Sequence, residues 1–160
     1  MSEDVVNILA VDDAPGCLLV LEYVLAKLDT VRFFGASSGE EAIALAEKHE
    51  FAAILADVAM QGMGGFEMAR RIADHKDAKG TPVIFISAQL HDHDYIAQVY
   101  RSGAVDSMLK PIEPDVLKSK VSIFANIFLE RKRLKRAIYQ QLEMKNRFLS
   151  QVSHELRTPL

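Results

Sequence analysis

The sequence predicts an α/β fold, a doubly wound parallel sheet of five strands, followed by one long C-terminal helix of coiled-coil character. Three observations predict it. Short, almost continuously apolar runs alternate with helical patterns through the first 110 residues. Parallel strands covered by helices on both faces need such runs, because neither face meets water. Four of the five strand-like runs close on acids, a hydroxyl or a lysine, at Asp12 and Asp13, Asp57, Ser87 and Lys110. The tract from Asp115 to Arg157 holds neither Gly nor Pro.

The elements follow in order. "NILAVDD" reads as a buried strand closed by two acids, and "PGCLLVLEYVLAKL" as a helix with Pro15 in its first turn, where a missing N–H costs nothing. "VRFFGA" is the second strand. "SSGEEAIALAEKHE" is a helix whose Ser38 and Glu41 have capping-box spacing. "FAAILADV" is the third strand, "GGFEMARRIADHK" the next helix and "TPVIFISA" the fourth strand. "DHDYIAQVYRSG" reads as a helix ended by Gly103, with Asp92 or Asp94 as its cap. "AVDSMLKP" is a short fifth strand. The "GMGG" run at 62–65 lacks the Lys-Ser/Thr of a phosphate-cradling loop and reads as a flexible turn.

Composition narrows the function classes. At 160 residues and 49% hydrophobic, the chain suits one compact domain with an appendage. No apolar stretch approaches the ~18 residues of a membrane span, and the start lacks the form of a signal peptide. The single Cys17 excludes an internal disulfide framework and reads as a buried thiol. A cytoplasmic location is the expectation. Net charge is −3 but uneven. Residues 1–113 hold 9 Lys/Arg against 18 Asp/Glu, whereas residues 114–160 hold 10 against 4. Such asymmetry implies two parts with different work.

In open sheets of this kind, ligands bind beyond the carboxyl ends of the strands. Asp12 and Asp13 close the first strand, Asp57 the third, Ser87 the fourth and Lys110 the fifth. On one rim the three carboxylates would repel and raise one another's pKa. A hard divalent cation relieves this, and Mg²⁺ accepts a few carboxylates together with a carbonyl, here that of Ala59. One carboxylate could then act as a nucleophile, with the lysine and the hydroxyl steadying a transferring phosphoryl group.

The acidic pair at 12–13, "DVAMQGMGGFE" from Asp57, "ISA" at 86–88 and "KP" at 110–111 resemble the receiver domain of two-component response regulators, a flavodoxin-like fold. The resemblance covers residues 1 to about 125. It implies that Asp57 accepts the phosphoryl group, and that Asp13 and Asp57 bind Mg²⁺ directly while Asp12 assists through water. It implies that Ser87 turns towards the phosphate, that Lys110 pairs with it, and that Lys110–Pro111 is cis. Two positions depart from the family pattern. Gln61 stands where proline is usual, and Ser107 stands where a switch Tyr or Phe is usual.

Beyond residue 114, Leu117, Val121, Phe124, Phe128, Ile138, Leu142, Leu149, Val152 and Leu156 recur in steps of three and four, or sums of such steps. Arg131, Lys135 and Lys145 interrupt the stripe, and a stutter near Leu134 fits the offset. A homodimer through this helix is expected, because a lone helix cannot bury such a stripe. "FLSQVSHELRTPL" resembles the phosphoacceptor box of sensor histidine kinases. That implies His154 as a phosphorylated residue, Glu155 as its proton partner, Thr158 as a water-positioning residue and a bend at Pro159. The expected domains are a receiver at 1–125, a signalling-helix linker at 126–147, and the opening of a dimerisation and phosphotransfer helix at 148–160. The chain reads as the front portion of a hybrid histidine kinase without its ATP-binding domain, served by a donor histidine kinase or phosphotransfer protein. Two alternatives stay open. One is a response regulator whose basic helix binds nucleic acid, motivated by seven Lys/Arg against two acids in "ERKRLKRAIYQQLEMKNR". The other is a dimeric adaptor with an inactive pocket.

Overall fold

A computed structural model describes residues 5–75, 78, 80–88, 97–98, 101 and 105–157. Five strands form one parallel sheet: β1 (Val6–Val11), β2 (Val31–Ala36), β3 (Ala53–Asp57), β4 (Val83–Ser87) and β5 (Asp106–Leu109), in the order β2-β1-β3-β4-β5. The helices whose bounds fall among the described residues are α1 (Pro15–Leu25), α2 (Gly39–Lys48), α3 (Gly65–Asp74) and α4 (Pro114–Arg157). Of the helix expected between β4 and β5, Ala97, Gln98 and Arg101 are helical, while its Asp92 or Asp94 cap and its Gly103 end lie outside the described residues.

Strand alternation divides the core into two layers. Leu9, Val11, Ile54, Ala56, Val83 and Phe85 point to one face, where α2 and α3 cover them with Ala42, Ala46, Met68 and Ile72. Ile8, Ala10, Ala53, Leu55, Ile84 and Ile86 point to the other, against Leu21 and Leu25 of α1 and Leu117 and Val121 of α4. Both faces of β1, β3 and β4 are therefore apolar, which is why those strands read as unbroken hydrophobic runs. Burying one such Leu or Ile side chain contributes about 1.5–3 kcal/mol.

Local signals behave largely as expected, with shifted ends. Ser38 caps α2 by accepting from the Glu41 N–H at 3.1 Å. The return contact of the box moves one residue upstream, to the Ser37 N–H and hydroxyl, each 2.9 Å from Glu41 Oε2. α1 stops at Leu25, short of the expected Leu28, and β5 keeps only the middle of its expected run.

α4 spans 44 residues, about 66 Å at 1.5 Å per residue. Its first three turns bury Leu117, Val121 and Ala125 on the sheet, with Phe124 and Phe128 partly buried beside them. Four residues of the expected dimer stripe are thus engaged by the chain's own sheet. Beyond Ala125 no described residue of α4 is buried, and Leu134, Ile138, Leu142, Phe148, Leu149 and Leu156 are exposed. No helix among the described residues is long and apolar enough to cross a membrane.

Candidate functional site

Among the described residues, the buried polar or charged side chains are Asp12, Asp57 and Ser87. All three lie at the C-terminal edge of the sheet. β1 and β3 are hydrogen-bonded neighbours, so the residues just past their ends, Asp12 and Asp13, and the last residue of β3, Asp57, must meet. Their carboxylates present oxygens within 4.8 Å of one another. β4 and β5 bring Ser87 and Lys110 to the same edge, pinned by the Lys110 N–H donating to the Ser87 carbonyl at 2.9 Å. The Lys110–Pro111 peptide bond is cis, as expected.

Lys110 is the shared counter-ion. Its Nζ lies 3.1 Å from Asp12 Oδ2 and 3.4 Å from Asp57 Oδ1. Asp12 also accepts from the Ala14 N–H at 2.9 Å, and Asp13 from the Gln61 N–H at 2.9 Å. Burial pushes the Asp57 pKa above the usual carboxylate value, and the Asp12 charge adds to it; Lys110 and the Ala59 N–H oppose the rise without cancelling it. For Lys110, burial works against the charge, but the hydrogen bond to Asp12 and the charges of Asp12 and Asp57 prevail and hold its pKa above the usual lysine value.

Several contacts carry no signal in residue pattern. Cys17 is half-buried at the rim of the pocket rather than within the core, with its Sγ 3.8 Å from Lys110 Nζ. Burial, then the Asp12 charge, push its thiol pKa up, away from thiolate reactivity. Gln61 supplies the N–H that a proline would lack. The glycine run is only partly the turn expected of it. Gly62 has φ +75°, but Gly65 opens α3 directly against Asp57, and a Cβ there would sit 2.4 Å from the Asp57 carbonyl oxygen. The obstructing atom is backbone, so it cannot swing aside. Gly65→Ala is expected to cost about 2 kcal/mol or more of stability. Urea unfolding of the purified variant checks this, and an unchanged midpoint would contradict the packing.

His154 and Glu155 lie elsewhere. They are exposed on the last turns of α4, about 60 Å along the helix from Pro114. The structure therefore brings Asp12, Asp13, Asp57, Ser87 and Lys110 together and leaves the expected phosphohistidine apart. Thr158 and Pro159 lie outside the described residues.

The site can hold a divalent cation. Three carboxylates face one ammonium, so two negative charges remain uncompensated at close range. The donors are all hard oxygens, and each carboxylate keeps acceptor capacity beyond the hydrogen bonds it already receives. This set fits Mg²⁺.

Known proteins share this sequence pattern and fold. The transcriptional regulatory protein YvrH of Bacillus subtilis is 33% identical over 115 residues, 72% of this chain and 47% of its own length. The chain thus spans about half the length of that relative, and less of some others. The chemotaxis protein CheY4 of Vibrio cholerae superposes with a TM-score of 0.70 at 26% identity, covering 75% of this chain and 98% of its own. The receiver domain of the sensor histidine kinase PA1611 of Pseudomonas aeruginosa, which holds a magnesium ion in its active-site cleft, has the same fold, with a TM-score of 0.70 at 24% identity over 76% of this chain and 98% of its own. The response regulator receiver domain family matches residues 8–122. The chain belongs to that family and takes part in two-component signalling.

Proposed function

We propose that this receiver takes a phosphoryl group on Asp57 and uses it to regulate a histidine-kinase output joined through α4. The observation that carries the first half is the convergence of Asp57 with Asp12, Asp13, Ser87 and Lys110 on one sheet edge. An Asp57 carboxylate oxygen attacks the donor's phosphorus. The new O–P bond forms as the donor's P–N or P–O bond breaks, and the bonding pair leaves with the donor. Lys110, held beside Asp57 by Asp12, meets the charge of the phosphoryl oxygens. The Ser87 hydroxyl donates to the resulting aspartyl phosphate. Asp12, Asp13 and Asp57, with the Ala59 carbonyl, would hold Mg²⁺, which when bound offsets negative charge between nucleophile and phosphate. Ser107 provides no aromatic ring to report the event. The path to α4 favoured by the contacts is the ion pair of Lys120 with Asp106 of β5, since Asp106 lies four residues before Lys110.

The second half rests on the exposed apolar residues of α4 and on the "SHELR" motif at its end. In this reading residues 1–125 are the receiver, 126–147 a signalling linker, and 148–160 begin a phosphotransfer helix with His154, Glu155 and Thr158 in the roles implied by the motif. α4 pairs with its copy, and phosphorylation shifts the pairing. A straight helix keeps His154 from reaching Asp57 in the same chain, so the phosphoryl donor is a separate kinase, phosphotransfer protein or small phosphodonor.

Intact-mass spectrometry and light scattering after incubation with acetyl phosphate and Mg²⁺ test both halves. One phosphoryl adduct per chain, dependent on Mg²⁺, is expected together with a dimer. No adduct would support the inactive-adaptor reading, and a monomer in every state would remove pairing through α4. The basic tract of α4 and the regulatory name of the Bacillus relative favour a second reading, in which α4 binds nucleic acid. Salt-sensitive duplex binding would support it.

A further inference from the structure

A second cavity lies at the opposite end of the sheet, between α4 and the segments leading into β3 and β4. Its volume is about 360 Å³, within the range of small-molecule sites. It is about 20 Å from the carboxylate pocket, because Phe51 and Asp57 are six residues apart along β3. One wall is apolar and aromatic, from Phe51 below and Phe124 and Phe128 on α4. Steps of three and four carry the same helix face onward from Phe128 to Arg131 and Lys135, with Arg136 adjoining. Rings at the base and cations at the mouth suit a ligand with a planar apolar ring and a polyanionic tail.

The charges are not accounted for by the fold. Lys132, also at the mouth, spans to Glu50 at 3.5 Å and lies over the Phe128 ring, 5.0 Å from its centroid. Arg133, on the next position round the helix, pairs with Glu130 at 3.1 Å. Among the described residues, Arg131, Lys135 and Arg136 have no carboxylate partner. Such crowding of like charge is unfavourable until an anion enters. Guanidinium groups also bind phosphate through two parallel hydrogen bonds, which orient it.

We propose that this cleft binds a nucleoside phosphate, its base against the Phe124 and Phe128 rings of α4 and its phosphates on Arg131, Lys135 and Arg136. The ligand joins the root of α4 to the receiver body, so its occupancy biases the helix independently of Asp57.

Calorimetric titration of the full chain with ATP and with tripolyphosphate tests this. It is run in EDTA, so that metal at the carboxylate pocket cannot contribute. ATP is expected to bind at one site per chain with a Kd below about 100 μM, and tripolyphosphate at least tenfold more weakly, or roughly 1 mM. The double variant Arg131→Ala/Arg136→Ala replaces exposed side chains and is expected to keep its circular dichroism melt while weakening ATP about tenfold or more. No saturable ATP binding at about 1 mM overturns the proposal. So does equal affinity for tripolyphosphate, or an ATP isotherm that the double variant leaves unchanged. Binding of a single-stranded oligonucleotide that ATP does not displace overturns it in favour of a nucleic-acid surface.

Discussion

Asp57→Asn is expected to abolish phosphoryl uptake and, in the same molecule, to stabilise the fold by about 1–2 kcal/mol at neutral pH in EDTA. The first effect follows because the amide is not a nucleophile under these conditions, and no other buried carboxylate at the site stands at the end of β3. The second follows from the charges. Asp57 is only 7% exposed, and burial followed by Asp12 repulsion raises its pKa. A raised carboxylate pKa means that the folded state binds the proton more tightly than the unfolded chain does. The contribution to stability is present below the unfolded value of about 4 and is lost as pH rises through the folded value. Above that window the ionised Asp57 is a cost, which the amide removes while Lys110 keeps Asp12 at 3.1 Å. The advantage of the variant should therefore be absent near pH 4 and grow with pH. Thermal melts of both proteins from pH 4 to 8 in EDTA check this. Mg²⁺ should raise the wild-type midpoint more than that of the variant, because ligand binding to the folded state adds stability by mass action. A variant less stable than wild type at pH 7 would refute this account of the pocket.

How much of this was legible in the sequence depends on the kind of force involved. The sheet was legible because burial on two faces leaves unbroken apolar runs, as in "ILAV" of β1 and "AILA" of β3. The pocket was legible because strand ends carried residues that burial would otherwise reject: Asp12, Asp57 and Ser87. Contacts made by backbone were not. The Gln61 N–H reaches Asp13 across 48 residues, and neither residue type announces it. Gly65 looked like turn flexibility, whereas its lack of a side chain is what lets α3 approach the Asp57 carbonyl. The α4 stripe was read as one surface, yet Leu117 and Val121 face the chain's own sheet while Ile138 and Leu142 face outward. Periodicity marks an apolar face but not what covers it. The cleft at the far end escaped for a related reason: its rings and cations converge only once α4 is laid against the entries to β3 and β4.

Lys110→Met should invert the behaviour of Asp57→Asn. Methionine keeps the length of the stem but removes the charge that two buried carboxylates share. Asp12, 2% exposed, would then face Asp57 with backbone N–H donors and the Cys17 thiol for company, and no positive charge. Removing one partner of a buried pair costs more than the pair contributes, because the other charge stays behind uncompensated. The Lys110 side chain is 27% exposed, so water moderates the loss to about 2–3 kcal/mol. Its raised pKa gives the sign with pH: the stabilisation is full at neutral pH and falls only as pH rises past the usual lysine value of about 10.4. Between pH 6 and 9 the variant should therefore melt lower by a nearly constant margin. Mg²⁺ should recover much of that loss, and should bind the variant more tightly than wild type, because no ammonium competes for the same oxygens. Phosphoryl transfer should nonetheless fall about 10²-fold, since a cation aimed at the transferring group is lost and Mg²⁺ does not take its position. Urea melts at several Mg²⁺ concentrations, with acetyl phosphate uptake measured on the same samples, separate the two effects. A variant as stable as wild type in EDTA would mean that Lys110 leaves the carboxylates for solvent. Unchanged uptake would remove Lys110 from the chemistry and leave it as a counter-ion of the resting pocket.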